Sequence, residues 1–308
     1  MPIKIKKISV DYILEKFPIP GDMIVNYLQT RPDILEKTDI FYENCRSKDQ
    51  KLKNFDLFIE TDTIDEKTVY ICPIYLELYE YVYNSTVVKQ VIDVISKQFH
   101  SNKVVFQWNH DKDFSVIEPK YPKLWSRPEN AYIINFNTSG PHPNDIIVPF
   151  WTINTEWIEK DKEYTAGFIG SVNNNLRQGL IKTIIGKNGY IHRSGLSHEN
   201  FLNFSSSCFF SLCPRGQGLS SYRFYESFHL STIPVLFADK SALPFEKEID
   251  YKSICISLAE KYAYNFEELD KIIKMRLLQW NEMMEEIKKV KNKFSLLGVQ
   301  EEVHRRLS

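Results

Sequence analysis

Arg215, Gly216, Gly218, Ser220, Ser221, Arg223 and Glu226 fall in one short stretch. It follows the apolar run Cys208 to Cys213 and precedes a second one, Ile233 to Phe237. The order predicts strand, Gly-rich turn, helix start and strand, with cations at the mouth. Two guanidinium groups, the amides and positive dipole end of a starting helix, and two hydroxyls suit a phosphate-bearing ligand. Gly216 and Gly218 let the main chain approach such a ligand, since no side chain stands in the way. Ser220 and Ser221 read as helix caps or as phosphate contacts, roles one residue can combine. Arg223 either meets the anion or pairs with Glu226 one turn on. Arg215 either reaches phosphate or pairs with an acid and braces the turn.

Other elements must position these residues. Ile3 to Val10, Asp56 to Glu60, Val69 to Pro73, Lys103 to Trp108, Ala131 to Phe136 and Ile146 to Val148 read as strands. Tyr75 to Phe99 reads as a long helical region and Asp22 to Gln29 as a short helix. A polar stretch from Trp151 to Glu163 marks a boundary. A second α/β unit opens with a strand at Tyr164 to Gly170. Asn173, Asn174 and Asn175 then offer a cap for a helix from Leu176 to Ile185. A strand at Tyr190 to His192 comes next. Asn265 to Lys291 reads as one charged amphipathic helix, and Gln300 to Leu307 as another. The alternation predicts mainly parallel sheets with helical cover. The expected organisation is an acceptor-side lobe over 1–155, a donor-binding lobe over 156–290 and a helical tail over 291–308.

The 308 residues fit two lobes, and 43% hydrophobic with 26% charged content is ordinary for a globular chain. A net charge of -1 gives no basic field for nucleic acid. No apolar run is long enough to span a membrane. Met1 to Lys7 reads as a strand and lacks the apolar core of a signal peptide. Four of the five cysteines lie in or beside apolar runs, which predicts buried free thiols in a reducing compartment. His142 and His192 read as loop or packing residues.

The Arg215 segment resembles the signature of the exostosin family, glycosyltransferase family 47. The matching elements, in order, are Pro214-Arg215-Gly216, Ser221, Arg223-Phe224, Glu226, Ile233-Pro234-Val235, Asp239 and Leu243-Pro244-Phe245. Weaker likenesses are Val69 to Pro73, Asp145 to Phe150, and Phe168-Ile169-Gly170 followed by Leu176-Arg177. The resemblance implies a GT-B type α/β fold, two Rossmann-like lobes with a cleft between them. It implies an inverting glycosyltransferase that needs no metal or other cofactor. Its donor would be a UDP-sugar and its acceptor a carbohydrate hydroxyl. Arg223 would contact the diphosphate, and Glu226 would accept hydrogen bonds from the ribose hydroxyls. Gly170 and Ser171 would face the donor phosphates.

The chain departs from the family pattern at several positions. Exostosins often carry Lys or Arg after the residue matching Gly170, where this chain has Ser171-Val172. Arg177 either compensates from the next helix or faces solvent. Gln217 stands where some members have a second Arg. Phe201 is the nearest match to a Tyr that the family places near the base. Eukaryotic members usually carry an N-terminal anchor. A soluble, Lys-, Ile- and Asn-rich member is similar to those of large DNA viruses, which implies a cytoplasmic location.

Inversion requires one general base. The expected sources are Asp111 and His110, which follow the strand ending at Trp108, or Glu77, which follows Pro73. A charged solvated turn is the other reading of 109–113. Two alternatives stand beside the main one. Asp111 and Asp113 match the Asp-x-Asp pattern that holds a divalent cation in GT-A transferases. A catalytically silent nucleotide-sugar or glycan-binding partner protein is the other.

Overall fold

The computed structural model describes residues 2–21, 57–74, 76–108, 126–135, 142–149, 156–216, 218–240 and 242–308. The chain divides into two units. Met1–Val148 and Val299–Ser308 form the first, and Pro149–Gly298 the second.

In the first unit, strands β1 (Ile3–Lys7), β2 (Phe58–Glu60), β3 (Val69–Ile71), β4 (Val104–Trp108), β5 (Ala131–Asn135) and β6 (Asp145–Ile147) form a parallel sheet. The order is β2-β1-β3-β4-β5-β6. β3 and β4 are buried along their whole length, as expected of near-continuous apolar runs covered on both faces. Helices α1 (Val10–Lys16), α2 (Leu76–Val82) and α3 (Ser85–Gln98) belong to this unit. Helix α3 buries Val88, Val91, Ile92 and Ile95, a helical stripe that joins Val104, Phe106, Trp108 and Ile133 in one core.

Two differences from the sequence reading fall here. The strand expected to reach Val10 stops at Lys7, because Ser9 Oγ accepts from Tyr12 N and starts α1. The single helical region 75–99 is two helices. Asn84 Oδ1 takes the amides of Thr86 (2.8 Å) and Val87 (3.3 Å), which caps a new helix start. The helix expected over 22–29 lies outside the described residues. A fully buried ion pair, Arg127 Nη1 to Asp145 Oδ1 at 2.7 Å, joins the start of β6 to the segment before β5. The last helix, α10 (Leu296–Leu307), also holds this region. Arg306 Nη2 donates to the carbonyls of Pro143 and Asp145, and Lys103 Nζ donates to the carbonyl of Leu307.

The second unit is built on β7 (Tyr164–Ile169), β8 (Tyr190–Arg193), β9 (Cys208–Pro214), β10 (Ile233–Phe237) and β11 (Ile256–Leu258). All are parallel, in the order β11-β10-β9-β7-β8. Its helices are α4 (Asn175–Ile184), α5 (His198–Ser206), α6 (Tyr222–Ser227), α7 (Tyr251–Ile254), α8 (Phe266–Leu277) and α9 (Trp280–Val290). The helix expected over 265–291 is broken between α8 and α9. Gln279 N–H donates to Arg276 O, and the Arg276 guanidinium holds both Gln279 Oε1 and Lys252 O.

The strand order reverses direction between β7 and β9. Chain connections leave this point toward opposite edges, which makes it the topological switch point of the sheet. Gly170-Ser171 after β7 and Arg215-Gly216 after β9 lie at this switch point, where open α/β sheets commonly place a ligand. Both units are α/β, each on a parallel sheet of the doubly wound kind, as expected. No helix among the described residues is long and apolar enough to cross a membrane.

Cys72, Cys208, Cys213 and Cys255 are free and buried, in agreement with the sequence reading. Burial pushes three of these thiols up to about 12 and Cys213 to about 11. With so little thiolate and no access, they are inert. In the native protein at pH 8, a disulfide reagent is expected to titrate at most one thiol promptly, and all five after denaturation. Prompt reaction of two or more would contradict this burial.

Candidate functional site

The residues singled out in the second unit converge at the β7/β9 switch point. Arg223 lies on the first turn of α6. Its Nε donates to the carbonyl of Ile169, the last residue of β7. Its Nη1 donates to Glu226 Oε2 at 2.7 Å, with the two side chains 17% and 23% exposed. The guanidinium carbon sits 4.2 Å from the centre of the Phe201 ring. Phe201, on α5, is buried with Ile169, Ile191, Cys208 and Leu230. The cation therefore rests on a fixed aromatic face while a carbonyl and a carboxylate set its orientation.

Arg177 is not turned to solvent. Asn174 Oδ1 caps α4 by accepting from the Arg177 amide at 2.9 Å. The Arg177 side chain then reaches back along the cap. Nη1 donates to Ser171 O at 3.1 Å and Nε to Arg215 O at 3.2 Å. The guanidinium also lies over the Phe168 ring. Asn174 Nδ2 donates to Arg215 O (3.1 Å) and Gly216 O (2.8 Å). One capping turn thus ties the loop after β7 to the loop after β9.

Arg215 pairs with an acid. Nε meets Glu260 Oε1 at 2.5 Å and Nη2 meets Glu260 Oε2 at 3.3 Å. That bond raises the guanidinium above its ordinary value, against the downward push of burial. Glu260 opens the short 3-10 helix Glu260–Tyr264 after β11, and its amide donates to Asp239 Oδ1, which follows β10. This helix packs closely on α4. A Cβ at Gly179 would overlap the Tyr264 ring, which would have to move to admit it.

Gly170 is also tight. A Cβ there would lie 3.1 Å from Phe168 Cε2 and 3.4 Å from Arg223 Nε. His192 packs flat on Phe168 at 5.5 Å, with Nε2 3.3 Å from Gly170 O. His142 accepts from Asn144 N through Nδ1. His142 thus sits in the loop before β6, and His192 packs against Phe168 beside Gly170. Ser221 precedes α6 without capping it, and its Oγ is buried with no hydrogen-bond partner among the described residues. Ser220 hydrogen-bonds the Tyr225 phenol and opposes the upward push that burial gives it.

Helix α6 has only six residues. A helix of that length has a small macrodipole. The guanidinium groups of Arg223 and Arg177 add full positive charge at this point. Phe201 lies beneath Arg223, so that face of its ring is occupied. Sequence reasoning missed α5 altogether, although Ser197 caps it by accepting from Asn200 N, a spacing visible in the sequence. It also missed Asn174 as a two-loop tie, and Glu260.

In the first unit, Glu77 lies in α2, but its side chain is outside the described residues. His110, Asp111 and Asp113 are likewise outside them.

Residues 124–274 match the family model of the exostosin GT47 domain. The match contains every site residue named above in the second unit. An Exostosin-1 homolog of Caenorhabditis elegans is 27% identical over 191 residues, covering 52% of this chain and 50% of that protein. A probable glucuronoxylan glucuronosyltransferase of Arabidopsis thaliana is 33% identical over 91 residues, covering 29% of this chain and 19% of that protein. The chain thus spans half or less of these relatives' lengths. Among solved structures, the pneumococcal O-GlcNAc transferase GtfA in complex with UDP and GlcNAc aligns with a TM-score of 0.44 at 8% identity, over 79% of this chain and 57% of that one. The chain is thus similar to exostosins of glycosyltransferase family 47, with the matching domain lying over residues 124–274.

Proposed function

We propose that this protein is a glycosyltransferase that moves a sugar from a UDP-linked donor to a hydroxyl of a glycan acceptor, with inversion and without a metal. The observation that carries this reading is the placement of Arg223 and Arg177 at the β7/β9 switch point, each bonded to a carbonyl that ends or follows β7. Sugar transfer leaves negative charge on a departing diphosphate. Preorganised donors in a site that excludes water stabilise that charge. In this reading the diphosphate lies against Gly170, Ser171 and Gly216, with Arg223 and Arg177 as cations and Ser220 and Ser221 as further donors. Glu226 accepts from the ribose hydroxyls once the diphosphate shares Arg223. Guanidinium groups supply the charge that a divalent cation supplies elsewhere, which supports the metal-free scheme.

Attack from the face opposite the leaving group needs one base on the acceptor hydroxyl, and His110, Asp111 and Glu77 remain the proposed sources. A cytoplasmic location also belongs to this reading. The Arabidopsis relative's name places a uronic acid donor among those to be tried. The test is transfer or donor hydrolysis across a panel of UDP-hexoses, UDP-pentoses and UDP-glucuronic acid, with and without excess EDTA. Turnover that survives EDTA is the expected result. Turnover abolished by EDTA and restored by a divalent cation would overturn the metal-free scheme.

A second reading has one observation in its favour. Arg215 and Arg223 are both already paired with carboxylates. Such pairing weakens anion binding and fits a catalytically silent partner protein. UDP binding without turnover of any donor in the panel would select it.

A further inference from the structure

Two sets of contacts grip Arg215 from opposite sides. Its carbonyl accepts from Asn174 Nδ2 and Arg177 Nε, the cap and first turn of α4 after β7. Its guanidinium meets both carboxylate oxygens of Glu260, after β11. The Glu260 amide in turn donates to Asp239, after β10. Four neighbouring strand ends are joined through Arg215 and Glu260 together. The Glu260 side chain is 22% exposed and that of Arg215 is 31% exposed, so neither is a freely solvated surface group.

We propose that Glu260 is a positioning residue of the donor site. Its carboxylate holds Arg215 as the brace of the turn from Pro214 to Ser221, so that the turn, and not the Arg215 guanidinium, is presented to the diphosphate. The role follows from charge and geometry. A bidentate carboxylate uses the fork edge that would otherwise grip an anion. Moving Arg215 to a diphosphate would leave the Glu260 carboxylate partly buried and unpaired beside a second anion, an unfavourable like-charge arrangement. Arg223 and Arg177 contact the two loops through carbonyls and need no such exchange at Glu260. The inference rests on the donor-site reading for its ligand. It does not rest on it for the brace.

The two are separated by measuring hydrogen exchange and UDP affinity on Glu260→Gln, Arg215→Gln and the double variant. If Glu260 braces the turn, both single changes speed exchange of the Gly216, Gly218 and Ser220 amides by at least about tenfold, while the β10 amides keep their protection. UDP affinity then falls by about tenfold in each, and the double variant is no worse than either, since both changes break one unit. Melting temperatures of the variants show that each is folded when titrated. Unchanged exchange in Glu260→Gln overturns the proposal. So does unchanged or tighter UDP binding in Glu260→Gln together with lost binding in Arg215→Gln, which would make Arg215 a direct ligand. Failure of the unaltered protein to bind UDP would count against the donor reading alone, and the exchange rates would still decide the brace.

Discussion

Arg223→Ala is expected to weaken UDP binding by at least about a hundredfold while circular dichroism and melting show a folded protein. A charge-assisted hydrogen bond contributes roughly 1.5–3 kcal/mol, and a hundredfold loss is about 2.7 kcal/mol. Two effects add to the lost contact. Glu226 is left without its 2.7 Å partner, so a carboxylate faces the incoming diphosphate. The Ile169 carbonyl also loses its donor. Arg223→Lys keeps the charge but not the fork, and an intermediate affinity is expected. Pyrophosphate separates the roles of the pair. Arg223→Ala should lose pyrophosphate and UDP alike. Glu226→Gln should lose UDP affinity more than pyrophosphate affinity, since only UDP carries ribose. Titration calorimetry reads all four values, and unchanged UDP affinity in Arg223→Ala would refute the assignment.

The second large effect is on stability. Phe294 follows α9 and is fully buried. Its ring stacks on Phe228 with centroids 4.2 Å apart, and it also meets Tyr225, Phe245 and Tyr251. Those partners come from the signature segment and the residues after it. The residue that closes this aromatic cluster therefore lies far along the chain from most of its partners. Phe294→Ala removes the ring and leaves a cavity, at a cost of about 3–5 kcal/mol. For a unit of this size the melting transition is expected to fall by roughly 6–20 °C. Calorimetry checks it, and a shift below about 2 °C would mean that the cluster packs otherwise.

Much of this fold was legible from apolar runs. Cys208 to Cys213 and Ile233 to Phe237 read as strands and are buried central strands, because a strand covered on both faces needs no alternation. Asn174 was legible as a cap, because capping is local chemistry. The breaks at Asn84 and Leu278 were not. Helical periodicity runs through both; at Asn84 a side chain takes the next backbone amides, and after Leu278 the Gln279 amide bonds Arg276 O in a tightened last turn. The types of the candidate-site residues were readable, but their partners were not. Arg223 finds Ile169, and Arg215 finds Glu260, across long stretches of chain. Only the parallel order of β7, β9, β10 and β11 brings those ends together. For Arg215 the sequence left phosphate contact and bracing open, because a guanidinium suits both and Glu260 has no local signature. Arg177 could not be placed for the same reason. Its two carbonyl acceptors belong to different loops.

A crystal of this protein soaked with UDP would locate the donor. The diphosphate is expected over the carboxyl ends of β7 and β9, with phosphate oxygens about 3 Å from the Arg223 guanidinium and from amides of the Gly170 or Gly216 turns. Ordered UDP bound elsewhere, with Arg223 still closed on Glu226 and Ile169, would contradict this placement.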